Sequence, residues 1–322
     1  MRKDQETNWL QSTRWADWAR SPITADASAR SYERLAHPDG RTAIFMNAPP
    51  DISGSQSAFV TLAQHLRQSG VAAPEVYDWD DALGLMVLED LGAVDFTRHL
   101  ATYPEDEETL YSAAVEVLSH VQAAPAPRGL QTLTPDIGAD MVSLAFDWAA
   151  PDLYPDIRHA IQAELHRLFE SIDREPKTLS LRDFHAENLI WRPEKTGLAR
   201  VGLLDFQDAF LAHPAYDLAS LMRDARRDVD CALTALIIAE FAQRRKIPEH
   251  DVHRAFYILA VQRNLRIIGI FERLEKRDGK SGYRELLPRV YRHLQTDLSS
   301  PDMETLQPLI KSAFPMIWQS TP

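Results

Sequence analysis

The chain has 322 residues, 45% of them hydrophobic and 25% charged, which is long enough for two packed bodies and too apolar for a largely disordered protein. Its formal net charge of −12 repels nucleic-acid backbones and anionic lipid, so neither is expected as a partner without a strong basic patch of a kind the sequence lacks. The single cysteine, Cys231, excludes an internal disulfide and suits a reducing compartment, and it reads as a small buried hydrophobe on a helix.

The opening Met1-Arg2-Lys3-Asp4-Gln5-Glu6 is not followed by an apolar stretch, so no signal peptide is expected. No apolar run reaches the length of a membrane span, and the expected location is the cytoplasm. Trp9, Leu10, Trp15 and Trp18 fit one face of a short helix and read as core. Ser31 to Leu35 and Thr42 to Met46 predict two strands around the turn His37-Pro38-Asp39-Gly40, where Pro and Asp-Gly supply the turn chemistry. Ser55 to Gln68 carries Phe59, Leu62, Ala63 and Leu66 at helical spacing, with Gly70 as the stop. Glu75 to Trp79 and Leu85 to Leu88 add two strands, giving a small mixed sheet.

Beyond residue 93 helical patterns dominate, over 107–122, 136–148, 156–173, 215–227, 230–245, 250–276 and 283–297. One strand pair interrupts them, Asn188 to Trp191 with Arg200 to Phe206, around a turn containing Pro193 and Gly197. That hairpin predicts matching positions for Asn188 and Asp205 at its open end, with Asp183 in the loop five residues ahead of Asn188. A carboxylate and an amide oxygen suffice for a magnesium ion whose shell is completed by water and nucleotide phosphate. A second carboxylate, on Asp183, is then placed to take the proton of an attacking hydroxyl.

These stretches resemble the aminoglycoside phosphotransferase and choline kinase-like branch of the protein-kinase fold. The resemblance rests on Leu181-Arg182-Asp183-Phe184-His185-Ala186-Glu187-Asn188, on Leu204-Asp205-Phe206-Gln207-Asp208, and on His213-Pro214-Ala215-Tyr216-Asp217-Leu218-Ala219. It implies a protein-kinase-like α+β fold, with a β-rich nucleotide-binding lobe at 1–91 and a helical catalytic and acceptor-binding lobe at 92–322. It implies ATP and Mg²⁺ as cofactors, Asp183 as catalytic base, and Asn188 and Asp205 as metal ligands. His185 and Glu187 then either touch substrate or serve the turn, and Asp208 and Asp217 orient the metal loop and the helix that follows. The family usually has His-Gly-Asp where this chain has Leu181-Arg182-Asp183, and Gly where it has Gln207.

The nucleotide-binding part departs further from the family. Asp26-Ala27-Ser28-Ala29-Arg30-Ser31-Tyr32 stands in place of a glycine-rich loop, so Ser28 and backbone donors would face phosphate. Ala43-Ile44-Phe45-Met46-Asn47 has no lysine where kinases place the phosphate-binding one. Arg30 and Arg34 are the nearest substitutes. Glu89 and Leu91 fall where the hinge would offer backbone groups to adenine.

Within that family the sequence is similar to the bacterial anomeric kinases of N-acetylmuramate and N-acetylglucosamine, which implies a small amino-sugar acceptor in cell-wall recycling. Between Asp251 and Arg277 basic residues outnumber acidic ones, and Arg263, Arg266 and Arg273 fall within about an 80° arc of one helix. Such a stripe is either a solvated flank or a site for a carboxylate or phosphate. An aminoglycoside kinase, a choline or homoserine-type kinase, and a non-catalytic nucleotide-binding pseudokinase are the alternatives.

Overall fold

The structure is a computed structural model that describes residues 2–23 and 30–319. It divides into two compact units, Met1–Phe96 with Leu189–Asp208, and Thr97–Asn188 with Ala209–Pro322. The hairpin after Asn188 therefore groups with the N-terminal unit, whereas a single cut after residue 91 assigns it to the helical remainder.

The first unit opens with α1 (Arg2–Gln11) and the strands β1 (Ala19–Ile23), β2 (Ser31–Ala36) and β3 (Thr42–Asn47). After these come α2 (Pro50–Ser53), α3 (Ser57–Gln68), β4 (Val76–Asp80) and β5 (Leu85–Glu89). The five strands form one sheet in the order β1-β2-β3-β5-β4. Every pairing is antiparallel, which corrects the expected mixed sheet. β1 carries Ala19-Arg20-Ser21-Pro22-Ile23 and is mostly exposed; it lacks the apolar alternation that marks a strand, and its proline is tolerated because it lies at a sheet edge.

Leu35, Ala43, Phe45, Leu85 and Val87 share one sheet face and pack with Leu10 and Trp15, flanked by Trp9, Trp18 and Tyr77. Of the residues whose pattern predicts core, Leu10 and Trp15 are buried while Trp9 and Trp18 are partly buried against them, and the predicted helix over Trp9 to Trp18 is displaced. It ends at Gln11 because the Ser12 and Thr13 hydroxyls bond back to the carbonyls of Trp9 and Leu10, each at 2.7 Å, competing with the helical ladder. The chain then turns, and Trp15 enters the core stacked on Tyr77 with ring centroids 5.4 Å apart.

In the second unit α4 (Phe96–Thr102), α5 (Glu107–Ala123), α6 (Pro135–Asp140), α7 (Ser143–Ala149) and α8 (Pro155–Ile172) precede the short strand β6 (Thr178–Ser180). The expected helix 136–148 is two helices. α6 packs on α8 and α7 on α11, and a glycine serves each approach: a Cβ at Gly138 would lie 2.7 Å from the Phe169 ring, and one at Gly269 2.3 Å from the Leu144 backbone. The hairpin of β7 (Leu189–Trp191) and β8 (Val201–Leu203), which belongs to the first unit, comes next in the chain, then β9 (Phe210–Ala212) of the second unit, which pairs with β6. Then follow α9 (Ala215–Met222), α10 (Cys231–Arg245), α11 (Glu249–Lys276), α12 (Leu287–Leu298), α13 (Leu306–Ala313) and α14 (Met316–Gln319).

α9 stops five residues short of its predicted end because Arg223 turns inward onto Asp297, at 2.8 and 2.7 Å, in a buried ion pair beneath the Phe256 ring. Cys231 is exposed, against the expectation of burial, because it opens α10 next to its Asp230 cap. Among the described residues no helix is long and apolar enough to cross a membrane.

Candidate active site

In the second unit the loop carrying Asp183 is built around one buried carboxylate. Asp217, in the first turn of α9 and wholly inaccessible, accepts bonds from the Ser180 hydroxyl (2.7 Å), the Leu181 amide (2.6 Å) and the Arg182 amide (3.0 Å). Burial pushes its carboxyl up to about 6, against the pull of these donors and of the Arg263 cation. Arg263 is itself buried, with its guanidinium 4.8 Å above the Tyr216 ring. It donates to the Arg182 carbonyl (2.9 Å) and the Ser220 hydroxyl (2.6 Å). The arginine stripe is therefore divided, with Arg263 holding the loop backbone.

Arg182 stands at φ 71°, a left-handed conformation that costs a side-chain-bearing residue about 1–2 kcal/mol. Directly after it, the Asp183 amide bonds to the Leu181 carbonyl at 2.9 Å. The Asn188 side-chain nitrogen donates to the Asp183 carbonyl at 2.8 Å and lies 3.2 Å from His185 Nε2. Asp224 holds the far end of the loop, accepting from the Ala186 amide at 3.2 Å and the Arg226 amide at 2.8 Å. Glu187 pairs with Arg226 at 2.7 Å. The backbone on both sides of Asp183 is thus fixed, while no hydrogen bond or ion pair engages its half-buried carboxylate among the described residues. Asn188, its side-chain nitrogen committed to the Asp183 carbonyl, has Oδ1 left as an oxygen that could hold a cation.

In the first unit the β7–β8 ladder pairs Leu189 with Leu203 and leads into Asp205. Phe206 is buried and stacks on Phe59 of α3, with ring centroids 5.0 Å apart and planes 14° from parallel. This anchors the residue following Asp205. Asp205 stands at φ 56° with an exposed carboxylate that accepts from Gln207 Nε2 at 2.8 Å. Arg30 Nη1 lies 3.7 Å from the same carboxylate. Burial raises the Tyr32 phenol, with Arg30 pulling it down and Asp205 pushing it up. The carboxylate and cation thus form a polar group beside Tyr32 of β2.

The other expected nucleotide residues fall differently. Arg34 is held by Asp90 at 2.7 and 3.3 Å, and Asp90 also accepts from the Gly92 amide at 3.0 Å. The Glu89 carboxylate is taken by Arg67 at 2.7 Å. Leu91 is buried at the hairpin, where a Cβ on Gly202 would come within 3.0 Å of it. Asn47, where a lysine is missing, receives Arg2 and donates to Glu6 at 2.7 Å. Ser28 lies outside the described residues. Arg266 lines a cavity of about 530 Å³ within the second unit, together with Arg182 and Arg273. Arg182, Asp224 and the inward turn of Arg263 escape sequence reasoning. The one available signal was an arginine at 182 where the resembled family has glycine.

Residues 20–256 match the phosphotransferase enzyme family. The chain belongs to this family. It is 34% identical to an N-acetylmuramate/N-acetylglucosamine kinase of Caulobacter vibrioides, over an alignment of 354 positions covering 95% of each chain. A protein of the same name from Neisseria meningitidis serogroup B is 31% identical, over 89% of this chain and 88% of its own. A choline kinase of Streptococcus pneumoniae superposes with a TM-score of 0.67 at 14% identity, over 91% of this chain and 99% of its own. The fold is the protein-kinase-like α+β fold expected from the sequence, and the protein is an ATP-dependent small-molecule kinase.

Proposed function

We propose that this kinase transfers the γ-phosphoryl group of ATP to a hydroxyl of an N-acetylated amino sugar, N-acetylmuramate or N-acetylglucosamine, at the anomeric position. The observation that carries the reading is a loop pinned on both sides of Asp183 whose carboxylate has no hydrogen-bond or ion-pair partner among the described residues. That is the state required of a base waiting for a substrate hydroxyl. The acceptor is inferred from the two amino-sugar kinases similar to this chain over most of both lengths.

In the proposed reaction the acceptor oxygen bonds to the γ-phosphorus and the bond from that phosphorus to the β-phosphate bridging oxygen breaks. ADP leaves, and the acceptor proton passes to Asp183. Asn188 Oδ1 and the Asp205 carboxylate are the proposed ligands of Mg²⁺, which when bound neutralises phosphate charge. Their chemistry fits a hard cation, since one is an amide oxygen whose nitrogen is already committed and the other an exposed carboxylate. Arg30 is the proposed phosphate cation, because Arg34 is paired with Asp90. Ser28 and the backbone of Glu89 and Leu91 are proposed for phosphate and adenine. His185 and Glu187 belong to loop architecture in this reading, given their bonds to Asn188 and Arg226. The proposed location is the cytoplasm.

Initial rates with MgATP should be measured for N-acetylmuramate, N-acetylglucosamine, kanamycin and choline at matched concentration. Turnover of the two sugars above both amines is expected, and an amine turned over faster than either sugar would refute the acceptor.

A further inference from the structure

Resting on that reading, we propose that Arg182, Arg266 and Arg273 form a carboxylate-reading site, so that the enzyme favours an amino sugar bearing a carboxylate over its neutral counterpart. The cavity they line encloses about 530 Å³, within the size of small-molecule sites. Arg182 reaches it from the loop, 6.0 Å from the centroid of Phe210, another lining residue. Arg266 and Arg273 reach it from α11. Two acids share the lining, Asp140 and Asp147. Asp147 is held by Arg158 at 3.1 Å, and Asp140 accepts from the Ser143 hydroxyl at 3.3 Å.

Among the described residues no carboxylate forms an ion pair with any of the three arginines, and the Nε atoms of Arg182 and Arg273 are buried with no partner. Burial lowers the Arg266 guanidinium, with the Arg182 and Arg263 cations adding to it and Tyr216 and Asp183 opposing. Cations held together without a directly paired carboxylate favour an anionic ligand, and a carboxylate matches the guanidinium fork. The influence of Asp183 on Arg266 puts this charge within electrostatic range of the proposed base.

Arg182 gives an independent reason. Its positive φ would be free of strain with glycine, so the arginine side chain stands against the backbone preference of its position, one residue before Asp183. N-acetylmuramate carries a lactyl carboxylate that N-acetylglucosamine lacks, so this pair of sugars isolates the charge.

Initial rates of the full chain with MgATP should be compared for the two sugars in wild type, Arg182→Gly, Arg266→Gln and Arg273→Gln. The wild type is expected to show the higher kcat/KM for N-acetylmuramate. Each variant should cut the ratio of the two kcat/KM values by about tenfold or more, mainly through KM, as loss of a charge-assisted bond implies. Added salt should narrow the wild-type ratio. Arg182→Gly can disturb Asp183, whereas Arg273→Gln probes the same cavity from a helix without altering the loop. Unchanged ratios in all three variants, or a wild type that favours the neutral sugar, would overturn this proposal alone. No turnover of either sugar would remove the amino-sugar reading and this proposal with it.

Discussion

Replacing Asp217 with Asn separates the positioning of the loop from the stability of the fold. The buried carboxyl is raised from 3.8 to about 6, so the folded state holds its proton more tightly than the unfolded chain. Its stabilising contribution is therefore complete below about pH 4 and is lost as pH rises through about 6. Between pH 4.5 and 7.5 that loss amounts to about 2 kcal/mol on the linkage relation. Asn does not titrate and keeps one acceptor oxygen, but its NH₂ group opposes a donor among Ser180, Leu181 and Arg182, at a cost of about 1–3 kcal/mol. At pH 7.5 the relieved charge and the lost bond nearly cancel, so the two proteins should unfold at similar denaturant concentrations. At pH 4.5 the wild type should be the more stable by about 2 kcal/mol. Turnover should still fall at pH 7.5, by about tenfold to a hundredfold, because Asp183 is displaced. Urea unfolding at both pH values, with kcat at the higher, reads all three quantities. A stability difference that does not vary with pH, or a variant with wild-type kcat, would refute this reasoning.

Arg30→Ala should raise the KM for ATP or lower kcat by about tenfold, whereas Arg34→Ala should mainly lower the Tm by leaving the buried Asp90 unpaired. Steady-state kinetics and thermal melts distinguish the two, and full activity in Arg30→Ala would remove it as the phosphate cation. Gly269→Ala places a methyl 2.3 Å from the Leu144 backbone and should destabilise by about 1–3 kcal/mol or more. It should also weaken N-acetylmuramate binding, since Leu144 lines the cavity; calorimetric titration and urea unfolding check the pair.

Where chemistry is local, the sequence was readable. The Asp-Gly turn at 39–40 with its flanking alternation marks the β2–β3 hairpin, and the loop from Leu181 to Asn188 with its downstream Asp-Phe marks the family. Gly70 stops α3 as read, at φ 88°. Features set by distant partners were not readable. The end of α9 depends on Asp297, 74 residues beyond Arg223, and the division into α6 and α7 depends on packing against α8 and α11. Arg263, Arg266 and Arg273 share an arc, yet Arg263 is drawn to a carbonyl and a hydroxyl of other elements, while Arg266 and Arg273 line a cavity. Helical spacing gives the face of a side chain but not its partner. β1 and β6 are too polar or too short to leave a periodic signal.

Phosphorus NMR of the product formed from MgATP and N-acetylglucosamine, with wild type and Asp183→Asn run side by side, addresses the proposed chemistry most directly. Wild type should give ADP together with an anomeric sugar phosphate, and Asp183→Asn should give no sugar phosphate while still binding ATP. A wild-type rate in Asp183→Asn, or a phosphate on another hydroxyl of the sugar, would contradict the proposed base or the proposed position of transfer.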